Sequence, residues 1–274
     1  MPLTDPAFTV PPPGPPGPYG TLAWLRATVS RFASGELHTR RRALAESLLA
    51  SLDPPALRAE AKRRARAVAA AGGDHTARPS AEIGGETAGE GVALPYVPVA
   101  VLAARLGVAE PHVADAVAAV RVVAAAYHPG TSADGADAAL GRLLALLPGG
   151  DEELAAQRVA LLVQTCEATA ALVRGALERP VADVLREAPP VPATRRVGPD
   201  GRVVSVPLAG RPFGEGPRRC PGEAHALALV EGVIAGAGAR RDDADGGTAG
   251  AERAVAATAD DGTRNVAGAG QACA

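Results

Sequence analysis

Apolar residues recur at helical spacing through most of the chain. From Leu22 to Ala71 the segments LAWLRATVSRF and HTRRRALAESLLASLDPPALRAEAKRRARAVAAA set apolar side chains three and four positions apart. The Pro54-Pro55 pair interrupts them, so two or three helices are expected there. A break rich in Gly, Ser and Thr follows at 72–91, and VPVAVLAARLGV then starts a helix that Gly107 can close. PHVADAVAAVRVVAAAY and ADAALGRLLALL carry the same period on either side of a loop at 129–135. The longest unbroken pattern is DEELAAQRVALLVQTCEATAALVRGALER. Its acidic start suits the positive end of a helix and Pro180 stops it, so it is expected to be the central helix. Only RRVGPDGRVVSVPL reads as strand, a short hairpin about the Pro199-Asp200-Gly201 turn.

Both ends differ from this body. Residues 1–19 are Pro-rich; each proline removes a donor and restricts its predecessor, so an arm or linker is expected. Residues 239–274 hold Gly, Ala, Asp and Thr with no sustained apolar period, which cannot offset the entropy of ordering, so the sequence predicts a disordered tail. The helical domain is placed at 20–238.

Composition sharpens this reading. Aromatic residues are 3% of the 274, against 32 Gly and 25 Pro, so the core is built from Ala, Leu and Val in close-packed helices. The formal net charge of -2 gives no general attraction to nucleic acid, and no aromatic residues interleave with the basic cluster Arg40, Arg41, Arg42, Lys62, Arg63, Arg64 and Arg66. No apolar run reaches about 18 residues and the N-terminus lacks a secretory pattern, so no membrane association and a cytoplasmic location are expected. Cys166, Cys220 and Cys273 are odd in number and scattered, which fits reduced thiols. The histidines His75, His112, His128 and His225 show no paired metal spacing and read as surface or packing residues.

The most informative segment is RPFGEGPRRCPGEAHALALVEGVI, a Gly-rich loop with one cysteine directly before an apolar helix. Helix-start N–H groups point toward such a sulfur, and Arg218 and Arg219 add positive charge, an arrangement that favours a thiolate. Gly216 and Gly222 allow turns that a side chain would block, and Phe213 can screen the sulfur from water.

At these residues the chain resembles the cytochrome P-450 family, whose haem-binding loop reads F-x-x-G-x-R-x-C-x-G; Phe213, Gly216, Arg218, Cys220 and Gly222 occupy its fixed positions. The resemblance implies haem b, with Cys220 as the thiolate ligand to iron and Arg218 paired with a propionate. ELHTRRRALAESLL is similar to the family's C helix, where a His and an Arg four residues later hold propionates; His38 and Arg42 fit. LLVQTCEATAALV resembles the central I helix. Glu167 matches its acid, Ala168 stands where the usual proton-delivering Thr belongs, and Thr169 or an ordered water is the alternative relay. PVADVLREAPPVPATRRV resembles the K helix and following strand. Asp183 and Arg186 stand for its E-x-x-R pair, either a clamp beneath the haem or a surface ion pair, and Arg196 stands for a further propionate partner.

The implied fold is mainly α, a cytochrome P-450-like helical fold with a minor β-hairpin, truncated at both ends. The implied activity is oxidation of a small organic substrate by a monooxygenase, with O2 and electrons from a ferredoxin-type donor drawn to the basic cluster. Ala168 and the trimmed segments point instead to a catalytically impaired, haem-binding or accessory relative. A haem-free helical binding module is a third reading.

Overall fold

The computed structural model describes residues 2–71 and 91–252, those from 239 onward by backbone alone. The first helices are α1 (Leu22–Thr28), α2 (Gly35–Ala50) and α3 (Pro54–Ala70), followed by α4 (Val97–Arg105), α5 (Val113–Ala125) and α6 (Ala136–Leu146). The long α7 (Glu152–Ala176) and short α8 (Val181–Glu187) lead to an antiparallel pair, β1 (Ala193–Val197) and β2 (Val203–Pro207), before α9 (Glu223–Glu252).

Local chemistry sets these boundaries. Thr21, Asp53 and Asp151 each accept a hydrogen bond from the backbone three residues on, capping α1, α3 and α7. Pro54 and Pro55 occupy the first turn of α3, where a missing N–H costs nothing, so the pair opens a helix as well as closing the one before. In the hairpin, Gly201 takes φ +77° and Val197 pairs with Val203.

Helix α7 lies at the centre, packed against α2, α4, α5, α8 and α9, with Ala156, Val159, Leu162, Val163, Ala170 and Val173 buried. Among the described residues it is the one helix long and apolar enough to cross a membrane by length and composition; more than half of its apolar stretch is buried in this core. Helices α3 and α9 approach most closely. A Cβ on Gly232 would fall inside contact distance of the Arg58 carbonyl oxygen and 2.8 Å from Ala61 Cβ, and one on Gly236 would meet the Lys62 carbonyl and Ala65 in the same way.

Both termini depart from expectation. The backbone of α9 stays helical to Glu252, past the expected end near residue 238. Residues 253–274, including Cys273, and residues 72–90, including His75, lie outside the described residues. The N-terminal arm is docked: Leu3 is 5% exposed in a small cluster with Val206 and Leu208, and Thr9 exchanges two backbone hydrogen bonds with Val197 of β1.

Candidate functional site

The segment before α9 meets the turn preceding α2, and the first turn of α9 meets the end of α2. Two contacts hold it there. His225, in the first turn of α9, donates Nε2–H toward the carbonyls of Leu49 (2.9 Å) and Leu52 (3.0 Å) at the end of α2, which fixes its tautomer. Arg218 donates to the Ala33 carbonyl at 2.5 Å and reaches Ser34 Oγ at 3.5 Å. The loop is also tied to itself, Cys220 N–H donating to Phe213 O and Arg219 N–H to Gly216 O.

These ties bring Cys220, His38, Arg42, Arg196 and Arg218 into one neighbourhood, together with Arg31, which the sequence did not single out. Its side chain is exposed, on the single 3-10 turn Ser30–Phe32 between α1 and α2. Burial, then the guanidiniums of Arg196, Arg31 and Arg42, pull the pKa of Arg218 down to about 10. Burial, then Arg218 and Arg42, push His38 down to about 4 against the opposing effect of Glu46. Arg196, 7% exposed on β1, is lowered by burial and by Arg31. Arg218 and Arg196 are therefore held charged at a cost, and His38 is neutral at neutral pH. The carboxylates acting on the group are Glu46, bonded to Arg42 at 2.7 Å, and Glu223, bonded to Arg219 at 2.7 Å. Such a cluster of positive charge, part of it buried, suits an anionic ligand.

Cys220 is exposed, yet its thiol pKa is raised. Both hold for a side chain in a depression: its own surface is open, while protein on the surrounding sides strips hydration from the thiolate. Burial is the largest cause and Glu223 adds to it; the Gly222 N–H, Arg42 and Arg31 act the other way. This corrects two expectations. Without a ligand the group is a thiol at neutral pH. The cations that favour its ionisation are Arg42 and Arg31, because Arg218 is turned to Ala33 and Arg219 is spent on Glu223. Gly216 takes φ +68°, as a tight turn requires, whereas Gly222 is not among the positive-φ glycines and a Cβ there would meet Leu49 at 3.8 Å; what it contributes is its N–H to Cys220. Phe213 is half-buried and lines a groove of about 490 Å3 with Leu185, Pro212 and Leu227 beside the loop. A larger groove, about 680 Å3 between α3 and α4, shares no lining residue with the cation cluster.

The α7 candidates are not brought together. Glu167 is exposed and Thr169 is 4% exposed; two positions apart on a helix, they point about 200° from each other. The Thr169 hydroxyl donates to the Thr165 carbonyl at 2.6 Å. Cys166 is buried, donates weakly to Glu167 at 3.5 Å, and burial followed by Glu167 raises its pKa, so it packs as a thiol. Asp183 and Arg186 form an exposed surface pair at 2.6 Å, with Glu187 also on Arg186, so no clamp is built there. The basic cluster is largely neutralised within the chain. Arg40 and Arg41 share Glu153, Arg63 and Arg64 share the buried Glu60, and Arg64 also meets Glu110.

No protein-family model and no curated protein matches the sequence. Solved structures do. P450BioI, in complex with acyl carrier protein ligated to hexadec-9Z-enoic acid, matches with a TM-score of 0.62 at 16% identity, over 88% of this chain and 82% of that one. The fold is that of a cytochrome P450. The LnmA cytochrome P450 hydroxylase of the leinamycin pathway of Streptomyces atroolivaceus S-140 matches with a TM-score of 0.53, also at 16% identity, over 88% of this chain and 79% of that chain. At this identity the likeness is one of fold, and the P450-like architecture expected from the Cys loop is present: helices throughout, with one small antiparallel sheet.

The residues fit the prosthetic group such a fold implies. A haem needs one soft axial donor, which Cys220 offers on an open surface, and partners for two carboxylates, which the crowded cations offer. No three His, Cys, Asp or Glu side chains converge among the described residues, so iron held by side chains alone has no site there.

Proposed function

We propose that this chain is a haem-thiolate protein of cytochrome P450 type that oxidises a small organic substrate in the cytoplasm, with Cys220 as axial ligand and His38, Arg42, Arg196 and Arg218 around the propionates. The observation that carries this reading is an exposed thiol in one neighbourhood with Arg31, Arg42, Arg196 and Arg218, the last of which the other three pull down. Bound haem b would supply a redox-active iron at which dioxygen is activated.

The chain's own part is electrostatic. Ligation requires the Cys220 proton to leave, and the Gly222 N–H with Arg42 and Arg31 lower the cost of the resulting negative charge. Haem propionates would offset the repulsion that Arg196, Arg31 and Arg42 exert on Arg218. An acidic electron donor of ferredoxin type is assigned to the basic surface that Lys62 and Arg66 leave. An acyl group on a carrier protein is a candidate substrate form, because P450BioI, which shares this fold, is seen with one.

A second reading, haem binding without oxygenation, is favoured by α7. Ala168 carries no hydroxyl, and the Thr169 hydroxyl is spent on Thr165 and turned from Glu167, so the helix presents no ready proton relay. Turnover separates the two. The haem-loaded chain is given a panel of organic substrates, once with O2 and a ferredoxin reducing system and once with peroxide. Oxygenated product in the O2 arm is expected for the monooxygenase. Uptake of O2 with no product in either arm would leave haem binding alone, and a chain that takes no haemin would end both readings.

A further inference from the structure

Residues 3–9 form a clip across two of the elements that build the site. Asp5-Pro6-Ala7-Phe8 is a β-turn: Phe8 N–H donates to Asp5 O at 3.1 Å, and the Asp5 carboxylate accepts from Ala7 N–H at 2.9 Å. On one side of the turn, Leu3 and Thr4 lie against the Cys loop. A Cβ on Gly216 would sit 3.1 Å from Thr4 Cγ2 and 3.3 Å from the Leu3 carbonyl, so the positive-φ glycine of the loop is also the point of closest approach. Leu3 is buried with Val206 and Leu208, a cluster separate from the main helical core. On the other side, Thr9 pairs with Val197 on the free edge of β1, its N–H donating at 3.0 Å and its carbonyl accepting at 2.9 Å. The clip therefore grips β1 next to Arg196 and the loop four residues before Cys220.

We infer that this clip holds the Cys220 loop and the Arg196 strand in their relative positions, with Leu3 and Thr9 as positioning residues for the cofactor site. The inference rests on the haem reading for its purpose, but its mechanical content does not. The far end of the loop is held by Arg218 and by the docking of α9 on α2; the Phe213–Gly216 half accepts the Cys220 and Arg219 N–H groups and has Leu3 and Thr4 against it. Freeing that half is expected to loosen the loop that ends at Cys220 and open its thiol to reagents.

The test uses the full-length chain with Cys273→Ser, so that Cys220 is the reactive thiol and buried Cys166 is silent. Leu3→Asp expels the anchor, Thr9→Pro removes the N–H that meets Val197, and Thr9→Val keeps that N–H as the control. In the haem-free protein, the rate of Cys220 alkylation is measured against pH. Leu3→Asp and Thr9→Pro are expected to react on the order of tenfold faster at pH 7.5, while Thr9→Val behaves as the parent and circular dichroism keeps the helical signal. Unchanged rates in both variants would overturn the clip, whatever the chain does with haem. Haemin titration of the same variants completes the test: affinity reduced on the order of tenfold is expected, and faster alkylation with unchanged haemin affinity would overturn the positioning role. A parent chain that binds no haemin would count against the haem reading, while the alkylation profiles would still decide the clip.

Discussion

Arg218→Gln is expected to weaken haemin binding by roughly 30-fold, about 2 kcal/mol, the scale of one hydrogen bond to a charged group. The same change should move His38 upward from about 4, since Arg218 is the largest charge acting on it after burial. The sign of the pH effect follows. A histidine whose pKa is lower folded than unfolded binds fewer protons in the native state, so its share of stability is full above about pH 6.5 and is lost as pH falls through 4. In the parent chain, solvent screening of this half-buried group leaves about 1–2 kcal/mol to be lost over that window. In Arg218→Gln the loss should be smaller, because less of the repulsion remains. Calorimetric haemin titration, NMR titration of His38 and denaturant unfolding from pH 7 to 4 read the three effects. Equal haemin affinity with an unmoved His38 would mean that Arg218 does not belong to this cluster.

Gly232→Val should cost about 3 kcal/mol, a large share of the stability of a marginal domain. In an exposed helix the exchange would be mildly favourable, since glycine is a poorer helix former by about 0.5 kcal/mol. Packing reverses the sign. The new Cβ would strike the Arg58 carbonyl and Ala61 on α3, which are backbone and a short side chain and cannot turn aside, so α3 and α9 would have to separate. That separation would also pull on the first turn of α9, where His225 and Gly222 meet the end of α2. Urea unfolding followed by circular dichroism tests this, with Gly238→Val as a control, because a Cβ at Gly238 meets nothing within 4 Å. Equal stability of the two variants would show that the α3–α9 contact is looser than described.

The helices were largely legible because their signals are local. Acidic residues and Asp151 open α7, Pro180 closes it, and Asp200-Gly201 turns the hairpin, each within a few residues of the feature it causes. The Cys loop was legible for the same reason, as a run of fixed spacings. What escaped depends on contacts between distant segments. Arg31 sits on one short turn with no periodic context, and only the fold carries it near Cys220 and Arg218. The basic face looked free in sequence, yet Arg40 and Arg41 meet Glu153 more than a hundred positions away. The arm read as a linker because prolines hide any period, although Asp5-Pro6 is a turn signal and Leu3 a lone apolar anchor. The separation of Glu167 from Thr169 follows from helix geometry once α7 is accepted as one unbroken helix.

The central claim is that Cys220 ligates haem iron. The direct measurement is the absorption spectrum of the haem-loaded, dithionite-reduced chain under carbon monoxide, beside Cys220→Ser. The account predicts the red-shifted Soret band of a thiolate-ligated carbonyl complex in the parent chain and its loss in the variant. A parent band at the position of imidazole-ligated or unligated haem, or a thiolate-type band that survives in Cys220→Ser, would contradict it.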